Sequence, residues 1–265
     1  MCYELQKQHN KGDVNYMKRV ILAAGLAAIT FGTPATATDI IDMTESERAV
    51  FGAEVRAYLV ENPELLLEII AILEEREAAE TTINDAALLL ENADAIYNDG
   101  VSYVGGNPDG DITIVEFSDY RCPYCKRAHP EVAALLKSDG NIRLIYKEYP
   151  ILGPESLSTA QFALATLMVE GPKAYEKISQ ALMDLRGAPS DAALAKLAEG
   201  LGLNPAPLLE KMGSSEVKQA IQANRALGQN LKISGTPTFI IDDKLVRGYV
   251  PQAVMQEMVE KAREE

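Results

Sequence analysis

Residues 112–147 constrain the fold of this chain more than any other stretch. Ile112-Thr-Ile-Val-Glu-Phe117 is a β-branched run ending at a turn, which reads as a buried strand. Residues 122–137 read as a helix with a kink predicted at Pro130. Ile142-Arg-Leu-Ile-Tyr-Lys147 reads as a second strand. Strand, helix and strand at this length predict a βαβ unit, with parallel strands and a right-handed crossover. At the junction of the first strand and the helix stands Cys122-Pro-Tyr-Cys125.

That position suits sulfur chemistry. A helix N-terminus has unsatisfied N–H groups and the positive end of the peptide dipoles. A thiolate there is stabilised, so its pKa falls below the free value of about 8.5. Cys122 is then the nucleophile, and Cys125, one turn further in, resolves a mixed disulfide or closes a ring with Cys122. Pro123 fits the first turn, where its missing N–H is not needed. Two other readings stay open on spacing alone. One is a structural disulfide, although so short a loop constrains the unfolded chain little. The other is half a zinc site, with His129 as the only further ligand after export.

The start of the chain reads as a leader. In residues 17–37, Lys18 and Arg19 form a charged n-region, Val20 to Phe31 is a mostly apolar run, and Ala35-Thr36-Ala37 is a small-x-small cleavage pattern. Cleavage is expected after Ala37. The run is shorter than the ~20 residues a bilayer needs. Met17 opens this signal, so residues 1–16 read as a start-site extension; a long n-region is the other reading. Export removes Cys2 and His9 and leaves Cys122, Cys125 and His129. A lone close pair of cysteines in an oxidising compartment is a specific pattern.

The formal net charge is −14, from 25 basic and 39 acidic residues. Nothing offers a phosphate backbone a cationic face, which argues against nucleic acid as a partner. At 47% apolar and 24% charged, the 265 residues can bury a sizeable core in one or two domains.

Residues 43–98 read as helical. Thr44-Glu-Ser-Glu47 matches a capping box, Asn62-Pro63 interrupts, and a second helix is predicted over about 63–80. Leu65, Leu66, Ile69, Ile70 and Leu73 share one face of it, with Leu67 and Ile72 beyond that face. A third stretch holds Leu88, Leu89, Leu90, Ile96 and Tyr97. The surplus of apolar side chains makes 43–98 either a helical cap on the rest of the protein or a self-association module. Residues 155–230 give several helices and no good strand. Strands resume at Thr238–Ile241 and Lys244–Tyr249 around an Asp242-Asp243 turn, and a helix over about 251–263 closes the chain.

Three blocks carry a family resemblance: Val115-Glu-Phe-Ser-Asp-Tyr-Arg-Cys-Pro-Tyr-Cys125, Tyr146-Lys-Glu-Tyr-Pro-Ile-Leu-Gly153 and Ser234-Gly-Thr-Pro-Thr-Phe239. In that order they resemble the thioredoxin superfamily, and within it the DsbA-like periplasmic thiol–disulfide oxidoreductases. Glu54-Val-Arg-Ala-Tyr-Leu59 and Glu61-Asn-Pro-Glu64 resemble the N-terminal extension of ScsC-like proteins.

The resemblance implies an α/β fold: a thioredoxin fold with a helical insertion, preceded by an α-helical extension. The expected division is 1–37 signal, 38–100 helical region and 101–265 DsbA-like domain, with the insertion at about 153–230. It implies that the Thr236–Pro237 bond is cis, and that Thr236, Pro237, Pro123 and Tyr124 lie at the substrate-binding surface. It also implies that Glu116 is a buried acid able to accept the proton of Cys125; a strand-end glutamate facing solvent is the alternative. Lys147 is a weaker expected partner for Glu116, and His129 is expected on the helix surface. Tyr124 departs from the histidine of strongly oxidising members, which implies a less oxidising couple. No cofactor is expected.

The expected partners are cysteine-containing exported proteins, a membrane redox partner and, through residues 43–98, further copies of the chain. Self-association favours a disulfide isomerase or reductase; a monomer favours an oxidase. Copper(I) binding by the two thiols is an alternative of another class, and an inert scaffold is a third.

Overall fold

Parallel pairing of β2 (Ile112–Ser118) with β3 (Ile142–Glu148) organises the structure, a computed structural model that describes residues 43–264. The expected leader, its cleavage after Ala37 and the Met17 start lie outside the described residues. Contacts divide the chain between Pro63 and Glu64.

In the first unit, α1 (Glu45–Glu61) begins at the expected capping box. The Thr44 hydroxyl accepts from Glu47 N–H at 3.3 Å, and Thr44 N–H donates to the Glu47 carboxylate at 2.9 Å. None of its residues is buried; Val50, Phe51, Val55, Tyr58 and Val60 are exposed.

In the second unit, α2 runs unbroken from Glu64 to Glu91. The break predicted near residue 80 is absent. No Gly or Pro lies within α2, and the Thr82 hydroxyl donates back to the Ala78 carbonyl at 2.9 Å, inside the helix. Leu66, Leu67, Ile69, Ile70, Ile72 and Leu73 are all exposed. Toward its end α2 joins the sheet, with Leu89 buried and Asp85 in a two-pronged ion pair with Arg247 at 2.7 and 2.8 Å. The short α3 (Ala93–Tyr97) follows and buries Ile96.

The sheet has the order β1-β3-β2-β4-β5. Only β2–β3 is parallel. β1 (Tyr103–Gly106), β4 (Thr238–Ile241) and β5 (Lys244–Arg247) complete it. β1 was not anticipated, because Tyr-Val-Gly-Gly shows no alternation. Gly106 sits there at φ +64°, and a Cβ on it would collide with the Ile142 carbonyl oxygen. β5 ends at Arg247, two residues earlier than predicted.

Strand parity divides the core. On one face Ile112, Ile114 and Leu144 pack with α4 (Pro123–Asp139) and α10 (Gln252–Ala262). On the other, Val115, Phe117 and Ile145 meet Leu89, Ile96 and Leu227. The helices between β3 and β4 are α5 (Pro154–Glu170), α6 (Pro172–Asp184), α7 (Asp191–Gly200), α8 (Pro205–Met212) and α9 (Ser215–Asn230). Their core includes Phe162, Tyr175, Ile178 and Leu208, and it also takes in Tyr120, Cys122, Cys125 and Tyr146. The inserted helices therefore pack directly on the cysteine motif.

Candidate active site

The turn after β2 places Cys122. Its N–H donates to the Asp119 carbonyl at 3.0 Å, and the Asp119 carboxylate accepts from Arg121 N–H at 2.8 Å. The other carboxylate oxygen of Asp119 accepts from Ile151 and Leu152 N–H, at 2.9 and 3.2 Å. One buried acid thus ties the motif turn to the loop after β3. Cys122 is the N-cap of α4 and Pro123 its first residue, and the helix continues through Pro130 to Asp139. Tyr124, by contrast, is 60% exposed.

Both cysteines are free thiols. The Cys122 sulfur donates to the Thr236 carbonyl at 3.1 Å, and the Thr236–Pro237 peptide is cis. The Cys122 thiol is lowered to about 5, first by hydrogen bonding with Cys125 and, against the cost of burial, by the Thr236 side chain and the backbone N–H groups of Cys125 and Tyr124. The dipole end of α4 acts in the same direction. Burial pushes Cys125 up, and its bond to Cys122 and the charge of Glu116 push it further. One sulfur is thus a ready nucleophile and the other holds its proton.

Glu116 is 1% exposed, which removes the solvent-facing alternative. Burial raises its carboxyl to about 7, and one of its oxygens has no hydrogen-bond partner among the described residues. Lys147 does not reach it. Glu116 lies opposite Tyr146 in the β2–β3 register, so the next residue, Lys147, projects to the other face. There its ammonium meets the Asp99 carboxylate at 2.6 Å and the Ala95 carbonyl at 2.8 Å. His129 is half-buried on α4 and pairs with Gln180 at 2.8 Å.

A third buried acid of the site, Glu148, is not among the residues expected from the sequence. Glu148 accepts from the Tyr120 and Tyr175 hydroxyls at 2.7 and 2.6 Å. Burial raises its carboxyl to about 8, against those two hydrogen bonds. The available signal was parity: Glu148 stands two residues after Tyr146, on the face that carries Glu116. Among the described residues no group of three or more His, Cys, Asp or Glu side chains is placed to hold a metal ion.

The thioredoxin family profile matches residues 98–261, which is more than half of the chain and includes every residue of this site. The chain belongs to the thioredoxin family. A second profile, described as the copper resistance protein ScsC N-terminal domain, matches residues 47–80. A solved thioredoxin-like oxidoreductase from Silicibacter pomeroyi DSS-3 is 41% identical over 65% of this chain and 98% of its own, with TM-score 0.60. A linker-deletion mutant of Proteus mirabilis ScsC is 27% identical, covers 84% of this chain and 98% of its own, and gives TM-score 0.65.

Disulfide bond formation protein D of Bacillus subtilis is 23% identical, with 59% of this chain matching 74% of it. This thioredoxin-family chain also matches 22% of the length of a Salinispora arenicola Na(+)/H(+) antiporter, at 28% identity over 152 residues. The likeness to that longer protein therefore concerns about a fifth of it.

Proposed function

We propose that this chain is a thiol–disulfide oxidoreductase of the periplasm, exchanging disulfides with cysteine-containing exported proteins through Cys122 and Cys125. The observation that carries the reading is the asymmetric pair itself. Cys122 caps a 17-residue helix beside the Thr236 carbonyl, and Cys125 is fully buried one turn behind it, near a buried carboxyl with one unpartnered oxygen.

In the reducing direction the Cys122 thiolate attacks one sulfur of a substrate disulfide. A mixed disulfide forms at Cys122, and the other substrate sulfur leaves as a thiolate that takes a proton from water. Cys125 then gives its proton to the Glu116 carboxylate and attacks the Cys122 sulfur. The second substrate sulfur leaves, so the substrate gains two electrons and the pair becomes a disulfide. Oxidation is the same path reversed. In isomerisation a substrate thiolate, rather than Cys125, attacks the substrate sulfur of the mixed disulfide, and the protein leaves reduced.

Thr236, Pro237, Pro123 and Tyr124 form the substrate surface in this reading. An extended peptide pairs with the backbone at Thr236 and lies along the exposed Tyr124 ring. The exposed apolar side chains of α1 and of the first half of α2 support self-association through residues 43–98, and with it an isomerase or reductase recharged by a membrane redox partner. The leader-like residues 17–37 support export. Insulin reduction by the full chain tests the activity: a Cys122→Ser variant that keeps the wild-type rate refutes the proposal.

A further inference from the structure

Glu116 and Glu148 stand on neighbouring parallel strands and on the same sheet face. Glu116 lies opposite Tyr146, and Glu148 is two residues further along β3. Strand spacing and rise put their Cα atoms about 8 Å apart. Each is 1% exposed. No basic side chain among the described residues forms an ion pair with either carboxyl, and each has one oxygen without a hydrogen-bond partner.

The groups facing Glu148 add no positive charge. Asp119 and Tyr120 come from the motif turn, and Tyr146 from its own strand. Tyr175 and Ser179 face it from α6, through Tyr120 in the case of Ser179. From α9 the Asn224 amide donates to the Glu148 backbone carbonyl at 3.1 Å. Beside Glu116, α4 brings Cys125. A cleft of about 860 Å³ is lined by Glu116, Tyr146, Tyr175 and Ser179 and also by His129 on α4 and by Lys173, Glu176, Lys177 and Asp184 on α6. Two carboxyls this close, both buried and without an ion-pair partner, oppose each other's ionisation.

We propose that Glu148 is a positioning residue for the exchange reaction: with Glu116 it forms a pair that holds one negative charge, and so sets how readily Glu116 takes the proton of Cys125. The inference rests on the proposed role of Glu116 in that reaction. When the charge is on Glu116, that carboxylate can accept the Cys125 proton. When it is on Glu148, held by the Tyr120 and Tyr175 hydroxyls, Glu116 is already protonated and cannot. Tyr120 lies two residues before Cys122 and Tyr175 lies on α6, so the same clamp links the charge to the packing of the insertion against the motif. Burial raises both carboxyls toward neutral pH, where exchange of the charge between them matters.

The test is a pH titration of the full chain labelled with carboxyl-¹³C glutamate, read on the Glu116 resonance, which a Glu116→Gln variant assigns. In the wild type Glu116 should ionise in two steps. In Glu148→Gln, where the amide oxygen still accepts from both tyrosines, it should ionise in one step that finishes about one pH unit lower. A Glu116 curve identical to wild type overturns the proposal. Should Glu148→Gln not fold, Tyr175→Phe removes one hydrogen bond that favours the Glu148 anion; the charge then moves toward Glu116, and an unchanged Glu116 curve again overturns the proposal.

The rate at which Cys125 resolves a Cys122–glutathione mixed disulfide should follow the Glu116 curve in each variant. Coupled carboxyls with a resolution rate indifferent to them would refute the role of Glu116 in exchange while leaving the charge-sharing pair intact. The two failures are therefore distinguishable.

Discussion

The Cys122 sulfur donates to the Thr236 carbonyl oxygen across 3.1 Å. A thiolate cannot donate, so ionisation frees that carbonyl for an N–H of an approaching peptide. Nucleophile and backbone acceptor are thus released together. Cys125, buried behind Cys122, performs the second step and has no access to a bulky substrate of its own. Cys125→Ser is therefore expected to react once and accumulate a mixed disulfide at Cys122, while Cys122→Ser accumulates none. Intact-mass measurement after exposure to an oxidised cysteine-containing peptide checks this. An equal yield of adduct in both variants would contradict the assignment of roles.

The lowered Cys122 pKa has a signed consequence for stability. On unfolding the thiol returns to its ordinary value of about 8.5, whereas in the folded reduced protein it is about 5. Its stabilisation is fully present above pH ~8.5 and is lost as pH falls through 5. Glu116 and Glu148 act in the opposite sense, because their folded values of about 7 and 8 lie above the usual carboxylate range. Their contribution is present below pH ~4.3 and is lost as pH rises through 7 and 8. The melting-temperature difference between reduced wild type and Cys122→Ser isolates the thiolate. It should grow from pH ~5 to ~8.5, and a flat difference would refute the shift.

Asp119 spends its carboxylate on backbone. It accepts from Arg121, Ile151 and Leu152 N–H groups, and so fixes the motif turn against the loop after β3. Asp119→Ala leaves those donors unpaired near the protein interior, an expected cost of about 2–4 kcal/mol. Looser placement of Cys122 should also lower its alkylation rate at neutral pH. Urea denaturation and iodoacetamide kinetics check the two effects. Loss of stability with wild-type alkylation would mean that the turn keeps its geometry without the carboxylate.

The Lys147–Asp99 pair stabilises the opposite face of the sheet. The Lys147 side chain is fully buried, and its ammonium has Asp99 and the Ala95 carbonyl as partners. Asp99→Ala strands a fully buried cation with one neutral acceptor and is expected to cost about 3 kcal/mol, whereas Lys147→Met should cost less, because the Asp99 carboxylate it leaves is partly exposed and still accepts from Val101 N–H and from the N–H and hydroxyl of Ser102. Chemical denaturation of the two variants decides it: an equal or larger loss in Lys147→Met would show that the pair contributes net stability.

These residues also show what a linear reading reaches. The capping box at Thr44, the strands read at 112–117 and 142–147, each one residue short of the observed end, and the placement of Cys122 at a helix start are legible because each rests on neighbours in the chain. β1 is not, because Tyr103–Gly106 is a strand only through its pairing with β3. The continuity of α2 past residue 80 was missed because a change in apolar pattern is not a helix breaker. The weaker expectation that Lys147 partners Glu116 fails on strand parity, which puts the two side chains on opposite faces. Asp119, Tyr120 and Glu148 also act through side-chain hydrogen bonds to partners 27 to 59 residues away in sequence, a pairing no local pattern encodes.

The exposed apolar side chains of α2 lead to the last expectation. Leu66, Ile69, Ile70 and Leu73 are between 47% and 56% exposed, and Leu67 is 71% exposed. Five such side chains within eight residues exceed what a solvated helix face ordinarily carries. Burial against further copies of the chain would contribute roughly 1 kcal/mol or more for each half-covered side chain. Replacing Ile69 and Leu73 together by Glu introduces like charges one turn apart into that contact. The wild-type full chain is expected to self-associate at micromolar concentration in light scattering, and the double variant to be monomeric. Cys122 alkylation per chain should be unchanged, because these residues lie on a different stretch of chain from the thiol. A wild-type protein that is already monomeric would remove the reason for preferring an isomerase, and the oxidase reading would take its place.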